Sequence, residues 1–288
     1  MKTKLRMICG GVLILAGLLG LTAAVPENGG GDKLTVPLSD PSRPAHLRVG
    51  LINGSISVEA YSGKDVEVEA VRREGDDSDE DNDADQDAAA KRSGLRKITN
   101  TSTGLSVDEN NNEVEVSTGL AGASGTIDLK IRVPVSTSVK LSTINDGDIR
   151  VTGVKGECEV SNTNGSVTLS KISGSAVVDA LNGEINVGFL SVDPGKPMSF
   201  SSMNGDIDVT FPPDIHATVK MKSEQGDIYS DFDIKMTSPS SRVVENQTGS
   251  PGKFKVAMEK MMSGSINGGG SEIVLKNFNG SIYIRKGK

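Results

Sequence analysis

Apolar and polar residues alternate along short stretches of this chain, and the alternation recurs at a regular interval. Pairs of apolar residues two positions apart follow successive glycines, at Ile149/Val151, Val167/Leu169, Ile185/Val187 and Ile207/Val209. A period of two is typical of a β-strand with one buried face. No stretch after residue 24 has a helical period, so the sequence predicts an all-β fold.

The glycines before these strands set the length of the repeat. They are Gly147, Gly165, Gly183, Gly205 and Gly226, separated by 18, 18, 22 and 21 residues. Asparagines come one or two positions before such glycines, at Asn145, Asn164, Asn182, Asn204 and Asn279, the last followed by Gly280. Because Asn-Gly accepts positive φ, the chain can turn a corner there without steric cost. A period of about 20 residues suits one coil of a solenoid.

We therefore predict a single-domain, right-handed parallel β-solenoid, a β-helix-like stack of coils of about 18–22 residues with Asn-Gly corners. In such a stack we expect Asn164, Asn182 and Asn204 to form a ladder of side-chain amides. Asn-Gly between two alternating segments is also the strongest short-range signal for a β-hairpin. An antiparallel sandwich is thus the alternative, although the regular period favours stacked coils.

The N-terminus has the features of an export signal. Three basic residues precede an apolar run over 7–21, and small residues follow it up to Ala24. We predict a signal peptide over 1–24, a flexible leader over 25–33 and the β-solenoid domain over 34–288. The protein is then expected to be periplasmic, associated with the cell envelope or secreted, without membrane insertion after cleavage. An uncleaved anchor is the alternative, for which the apolar run is short.

A dense acidic run over 74–93 interrupts the β-pattern. It has no apolar periodicity, so we predict a disordered insertion there. Aspartates alternate within it as in a calcium loop, at Asp77, Asp79, Asp81 and Asp83. The glycine and the distal glutamate of an EF-hand are missing at the required spacing. These aspartates are weak candidates for a metal site, and the sequence predicts no cofactor.

Charge and cysteine usage narrow the range of partners. The formal net charge is −7, and the loss of three basic residues with the signal leaves −10 on the exported chain. A chain of this charge repels nucleic acid and anionic membranes. Cys158 is then the only cysteine, and its place on the apolar phase of a strand predicts a buried thiol. We expect the charge of the basic tail over 285–288 to discourage the last coil from pairing edge to edge.

Carboxylates near the corners are the best candidates for an active site. They are Asp146, Asp148, Glu184, Asp206 and Asp227. Stacked coils would bring such groups within about 5 Å, and carboxylate pairs at this distance can cleave glycosidic bonds or hold a cation. Turn chemistry is the simpler explanation, because side chains after a glycine satisfy backbone amides, and Ser166 interrupts the row. The sequence has no nucleophile elbow, paired-histidine zinc motif or Walker motif.

One order of segments is similar to a known family. The segment IDLKIRVP over 127–134 leads to VKLSTIN over 139–145 and GDIRV over 147–151, and copies of the corner follow at Asn164-Gly-Ser-Val, Asn182-Gly-Glu-Ile and Asn204-Gly-Asp-Ile. This order resembles the bacterial putative-adhesin family, an exported β-solenoid domain of otherwise unknown function. The resemblance is strongest over 127–229 and extends over 34–284. It implies a fold, and it offers no catalytic residues.

The sequence therefore favours an exported, non-enzymatic protein, an adhesin or a cell-envelope scaffold that binds through an exposed polar sheet face. The expected partner is an unidentified cell-surface, glycan or envelope-protein ligand. The alternatives are a polysaccharide-acting enzyme that uses the corner carboxylates and a calcium-dependent scaffold that uses the acidic insertion. Carbohydrate sites usually need aromatic platforms. The chain has no Trp and three tyrosines, Tyr61, Tyr229 and Tyr283, which disfavours a glycan ligand.

Overall fold

The computed structural model describes residues 31–73, 103–119, 125–145, 147–237, 241–246 and 255–288. The predicted signal peptide, the predicted acidic insertion with Asp77, Asp79, Asp81 and Asp83, and the corner residue Asp146 lie outside the described residues. Within those ranges the regular elements are β-strands, and no helix is long and apolar enough to cross a membrane.

The strands are numbered in chain order. They are β1 (Gly31–Pro37), β2 (Ala45–Asn53), β3 (Ile56–Tyr61), β4 (Asp65–Arg72), β5 (Ser106–Asn110), β6 (Glu113–Ser117), β7 (Ile127–Pro134), β8 (Thr137–Asn145), β9 (Ile149–Thr152), β10 (Lys155–Asn164), β11 (Val167–Asn182), β12 (Ile185–Val192), β13 (Met198–Asn204), β14 (Ile207–Phe211), β15 (Ala217–Gln225), β16 (Ile228–Ser230), β17 (Lys235–Thr237), β18 (Ser241–Asn246), β19 (Lys255–Lys260), β20 (Met262–Ile266), β21 (Ser271–Asn279) and β22 (Ile282–Lys286).

Twenty of these strands form one sheet, whose strands lie in two rows. The front row has the order β5, β6, β2, β8, β10, β11, β13, β21, β15, β20, β17. The back row has the order β1, β4, β7, β3, β9, β11, β12, β14, β22, β16. Strand β11 belongs to both rows, because its first part pairs with β9 and its second part pairs with β10.

The core is built by stacking equivalent residues of successive coils. Ile149, Val167, Ile185, Ile207 and Ile282 are register partners on neighbouring back-row strands, and each is 0% exposed. A fully buried aliphatic side chain of this size contributes about 1.5–3 kcal/mol. The all-β prediction is confirmed and the sheet is mostly parallel. The antiparallel-sandwich alternative is wrong for the repeats, because β10, β11 and β13 pair in parallel instead of folding back as hairpins.

The last coil of the chain lies inside the stack instead of ending it. Strand β21 pairs in parallel with both β13 and β15, and β22 pairs in parallel with both β14 and β16. The expectation that the charge of the basic tail protects an exposed last coil is therefore wrong, because strands cover this coil on both sides. Arg285 lies on β22 next to β14, and its Nε donates to Oδ1 of Asp208 on β14 at 2.8 Å.

Antiparallel strands flank the parallel coils at both ends. Strands β4 and β5 pair antiparallel with β7 and β6, and β20 pairs antiparallel with β15. Strand β1 pairs antiparallel with β4 and begins at Gly31, three residues before the predicted start of the domain. These additions mean that the parallel repeat is only the central part of the sheet.

Cys158 lies in the core on β10 and is 2% exposed. Burial raises the pKa of its thiol to about 12. The thiol therefore stays protonated at neutral pH and is a poor nucleophile. The prediction of a buried structural cysteine is confirmed.

Candidate functional site

The predicted turn positions all connect a front-row strand to a back-row strand. Asn145 and Gly147 lie between β8 and β9, Asn164 and Gly165 between β10 and β11, Asn182 and Gly183 between the second part of β11 and β12, Asn204 and Gly205 between β13 and β14, Gly226 between β15 and β16, and Asn279 and Gly280 between β21 and β22. Each asparagine is the last residue of its front-row strand. The positions therefore share one geometry along one side of the stack.

The corner asparagines form a ladder of side-chain amides. Nδ2 of Asn182 donates to Oδ1 of Asn164 at 2.9 Å, and Nδ2 of Asn204 donates to Oδ1 of Asn182 at 2.8 Å. The other rungs, at 3.2–3.4 Å, join Asn53 to Asn145, Asn145 to Asn164, and Asn204 to Asn279. Because each amide bonds to an identical neighbour, the ladder holds the coils in register. Its role is structural.

The corner glycines leave no space for a side chain. A Cβ on Gly165 would lie 2.2 Å from the carbonyl oxygen of Gly147, and one on Gly183 would lie 2.1 Å from that of Gly165. The φ angles of Gly165 and Gly183 are 140° and 157°, which residues with a Cβ rarely adopt. The backbones of successive corners thus touch directly.

A row of buried polar side chains satisfies these glycine carbonyls from inside. Oγ1 of Thr143 donates to the Gly54 oxygen at 3.0 Å, and Nδ2 of Asn162 donates to the Gly147 oxygen at 3.0 Å. Ser202, Asn277 and Ser223 donate to the glycine oxygens of their neighbouring coils in the same way, at 2.9–3.3 Å. Ala180 occupies this position in the remaining coil and has no donor. Polar residues thus occupy inward-facing positions near the corner because they donate hydrogen bonds to the glycine carbonyls.

The corner carboxylates also serve the backbone. Oδ1 of Asp148 accepts the N–H of Ser166 at 2.9 Å, and its Oδ2 pairs with Arg150 at 2.9 Å. Oδ1 of Asp206 accepts the N–H of Ser281 at 2.8 Å. These contacts are the turn chemistry that the sequence offered as the simpler explanation.

The same carboxylates are too far apart for paired chemistry. Asp148 precedes β9 and Asp206 precedes β14, and these strands are three steps apart in the back row, or about 14 Å. Glycosidases hold their two carboxylates about 5–9.5 Å apart. Glu184 and Asp206 precede neighbouring strands, about 5 Å apart, but Asp206 already accepts the N–H of Ser281. Asp227 lies beyond β22 at the other end. The structure therefore spaces the described members of the row along a wet edge.

The outer surface of the front row carries a feature that the repeat does not require. The residue before each corner asparagine points outward, and in five coils it is apolar and 41–49% exposed. In stack order this row, which we call the apolar row, contains Ile52, Ile144, Leu181, Met203 and Phe278. Thr163 stands between Ile144 and Leu181 in the same register. Single exposed apolar residues are normal, whereas an aligned set is typical of a binding surface.

A groove runs beside the apolar row. Its floor is formed by the next outward residues on each strand, which are Gly50, Ser142, Ser161, Asp179, Ser201, Lys276 and Lys222. Two adjoining depressions of about 410 and 260 Å³ share Ser161 and Asp179. The opposite wall includes Lys140 and Glu159, whose side chains pair at 2.6 Å. Because it crosses seven strands, the groove is about 29 Å long.

Asp179 is the electrostatically perturbed group in this groove. Loss of hydration, followed by the negative charge of Glu159, raises the pKa of its carboxyl. Its register neighbours on both sides are serines, Ser161 and Ser201. A carboxylate that is held in unfavourable surroundings inside a groove is a candidate binding group.

Sequence reasoning did not identify this groove. The signal was present as one apolar residue immediately before the corner asparagine in coil after coil, as in Leu181-Asn182 and Met203-Asn204. On the strand phase these residues point away from the core, so they carry no weight in a prediction of the fold. Their significance follows from the register, which aligns them.

Comparison with known proteins identifies a matching family and two similar structures. The family model described as Toastrack DUF4097 matches residues 42–267. A solved structure described as a "putative cell adhesion protein" from Clostridium sporogenes ATCC 15579 is 11% identical, with a TM-score of 0.43 over 89% of this chain and 100% of that chain. A "putative adhesin" from Bacteroides fragilis NCTC 9343 is 12% identical, with a TM-score of 0.33 over 90% and 98%. No curated protein matches the sequence.

Proposed function

Because the chain belongs to the Toastrack DUF4097 family, as its resemblance to the putative-adhesin family indicated, we propose that it is an exported, non-enzymatic interaction module of the cell envelope or cell surface. Export is supported by the basic, apolar and small-residue pattern of residues 1–24. Adhesion to a surface component and a scaffold role within the envelope are the two forms of this function.

The observation that carries the proposal is the groove with its apolar row. Burying an exposed apolar side chain against a ligand contributes about 25 cal/mol per Å² of apolar area removed from water. The serines, Asp179 and the lysines of the floor supply hydrogen bonds and charges of both signs next to the apolar wall. A groove that crosses many strands suits an extended ligand that makes similar contacts at each step.

The enzymatic alternative is less well supported. Asp148 and Asp206 already accept backbone N–H groups, and their strands are about 14 Å apart. A calcium-dependent scaffold stays a prediction, because the acidic insertion lies outside the described residues.

We also propose that the stack winds right-handedly and that each coil has about 18–22 residues. The in-register pairing of Ile149, Val167 and Ile185 supports the coil length.

Binding by the mature chain, residues 25–288, tests the function. The chain is titrated onto bacterial cells, envelope glycans and extracellular matrix proteins, with and without calcium. Saturable binding is expected, and we expect the double variant Leu181→Ser/Met203→Ser to bind at least about tenfold more weakly, because two apolar contacts are lost.

The matched control is Leu190→Ser. Leu190 is an apolar residue on back-row strand β12 that is 64% exposed, so its loss makes the surface more polar but leaves the groove intact. Equal affinity of the groove variant and the wild type would refute the groove as the binding surface. Turnover of a polysaccharide that disappears in Asp148→Asn/Asp206→Asn would favour the enzyme instead.

A further inference from the structure

Two of the three tyrosines meet on the outer surface of the back row. Tyr229 on β16 and Tyr283 on β22 are register partners, and their ring centroids are 5.2 Å apart with planes inclined by 10°. Tyr229 is 51% exposed. Parallel rings at this separation attract each other beyond simple burial of area, so the two side chains hold each other in one orientation.

Arg285 also holds Tyr283 in place, on the side away from Tyr229. The guanidinium of Arg285 lies 5.3 Å from the Tyr283 ring centroid. Nε of Arg285 donates to both carboxylate oxygens of Asp208 at 2.8 Å, and Asp208 is on β14, on the side of β22 opposite to β16. Tyr283 therefore lies between a fixed cation and the ring of Tyr229.

In the part of the chain that the structure describes, no strand pairs with the far side of this tyrosine pair. Among the described strands, β16 pairs with β22 alone, so the ring face of Tyr229 that points away from Tyr283 is at the edge of the back row. The hydroxyl of Tyr229 donates to Oδ2 of Asp227 at 3.3 Å, and the negative charge of Asp227 raises the pKa of the phenol. The result is a rigid aromatic surface with a carboxylate at its rim.

We propose that the exposed face of Tyr229, supported by Tyr283 and flanked by Asp227, is a stacking platform for a neutral sugar ring. The C–H groups on one face of a pyranose pack against an aromatic ring, while its hydroxyls donate to a neighbouring carboxylate. A tyrosine that is already fixed by stacking loses little conformational entropy when it binds. This inference goes beyond the proposed function, because the platform and the groove lie on opposite rows.

Charge favours a neutral sugar over the other ligands of an aromatic surface. Asp227, which accepts the hydrogen bond of the Tyr229 hydroxyl, repels uronic and sialic acids. A quaternary ammonium group prefers a cage of several rings. Among the described residues the platform offers one ring face, and Arg285 lies close to the partner ring. The three-tyrosine composition that disfavoured a glycan ligand is thus offset by the placement of two tyrosines together.

Calorimetric titration measures sugar binding to the platform, because it does not use Tyr229, the residue that the variants replace, as its reporter. The mature chain is titrated with chitohexaose and cellohexaose as neutral probes and with polygalacturonate as an acidic probe. We expect a saturable heat change with a neutral probe and a loss of at least about tenfold in affinity for Tyr229→Ala. Tyr229→Phe keeps the stack and should stay within about threefold of the wild type. Tyr61→Phe removes a distant tyrosine and is the matched control.

Three results would overturn the platform: no saturable binding of either neutral probe, unchanged affinity in Tyr229→Ala, or preferred binding of polygalacturonate. Circular dichroism checks the fold of each variant. Nitration of the wild-type chain gives an independent measurement, in which the bound neutral probe should protect Tyr229 and leave Tyr61 reactive. The groove variant Leu181→Ser/Met203→Ser should bind the sugar normally, which separates a failure of the platform from a failure of the groove.

Discussion

Replacing Gly165 by alanine tests whether direct backbone contact between corners holds the stack together. The new Cβ would lie 2.2 Å from the Gly147 oxygen and 2.8 Å from its carbonyl carbon. Both atoms belong to the backbone, so they cannot rotate away, and the two coils must separate locally. The variant therefore perturbs the stack at one point without removing any buried side chain.

The structure gives the size of the effect. Holding alanine at φ 140° costs about 1–3 kcal/mol. Separation of the coils also weakens the bond from Nδ2 of Asn162 to the Gly147 oxygen, at 3.0 Å, and the Asn164–Asn145 rung, at 3.3 Å. Each hydrogen bond contributes about 0.5–1.5 kcal/mol, so we expect the free energy of unfolding to fall by about 2–6 kcal/mol.

Urea denaturation of the mature chain, followed by circular dichroism, measures this change. The matched control is Gly195→Ala, because Gly195 has φ 81° and a Cβ added there would meet no other atom within 4 Å. The control carries the backbone strain alone, and the lower entropy of the unfolded chain affects both variants alike. If the two variants lose the same stability within about 0.5 kcal/mol, contact between corners is not what requires glycine.

Two further changes probe the polar side chains that donate to the glycine carbonyls, and the groove. Ala180→Ser should supply the hydrogen-bond donor that this coil lacks toward the Gly165 oxygen, as Ser202 does toward the Gly183 oxygen at 3.3 Å. We expect the free energy of unfolding to rise by about 0.5–1.5 kcal/mol in the same assay. No gain would show that this oxygen needs no donor. Asp179→Asn should stabilise the fold at pH 7, because the raised pKa means that folding disfavours the charged carboxyl. The gain in stability is full above the pKa of Asp179 in the folded state, and it should vanish as the pH falls through that pKa toward the value in the unfolded chain. The gain should be small, because the side chain stays exposed and water screens most of the cost of its charge. A gain that persists at pH 3 would contradict this cause.

The all-β fold could be predicted because the features that indicate it are encoded locally. Alternation around Ile149/Val151 and Ile185/Val187 fixes which side of each strand is buried. Asn-Gly marks positions where the backbones of successive coils touch, as at Gly165 and Gly183. Neither inference needs knowledge of which coil is next to which, so both can be made from a single repeat.

The order of the coils could not be predicted in the same way. The segment that ends in Asn279-Gly280 has the same alternation and corner as its neighbours, so its pattern fits any place in the stack. Its position between β13 and β15 depends on how well the inward side chains of three coils fill the space between them. The charge of the tail suggested an edge, but Asp208 on β14 supplies a partner for Arg285, and nothing in the sequence links these two residues.

The candidate groove shows why outward positions are informative once the register is known. Folding constrains the inward residues, the corner glycines and the asparagines, but it leaves the residue before each asparagine free to be polar. An exposed apolar residue there adds nothing to the core, and an aligned set of them increases the tendency to associate. Thr163 shows that a polar side chain fits the same position. The five apolar members of the row therefore support the proposal that a ligand covers them, because the stack does not require them.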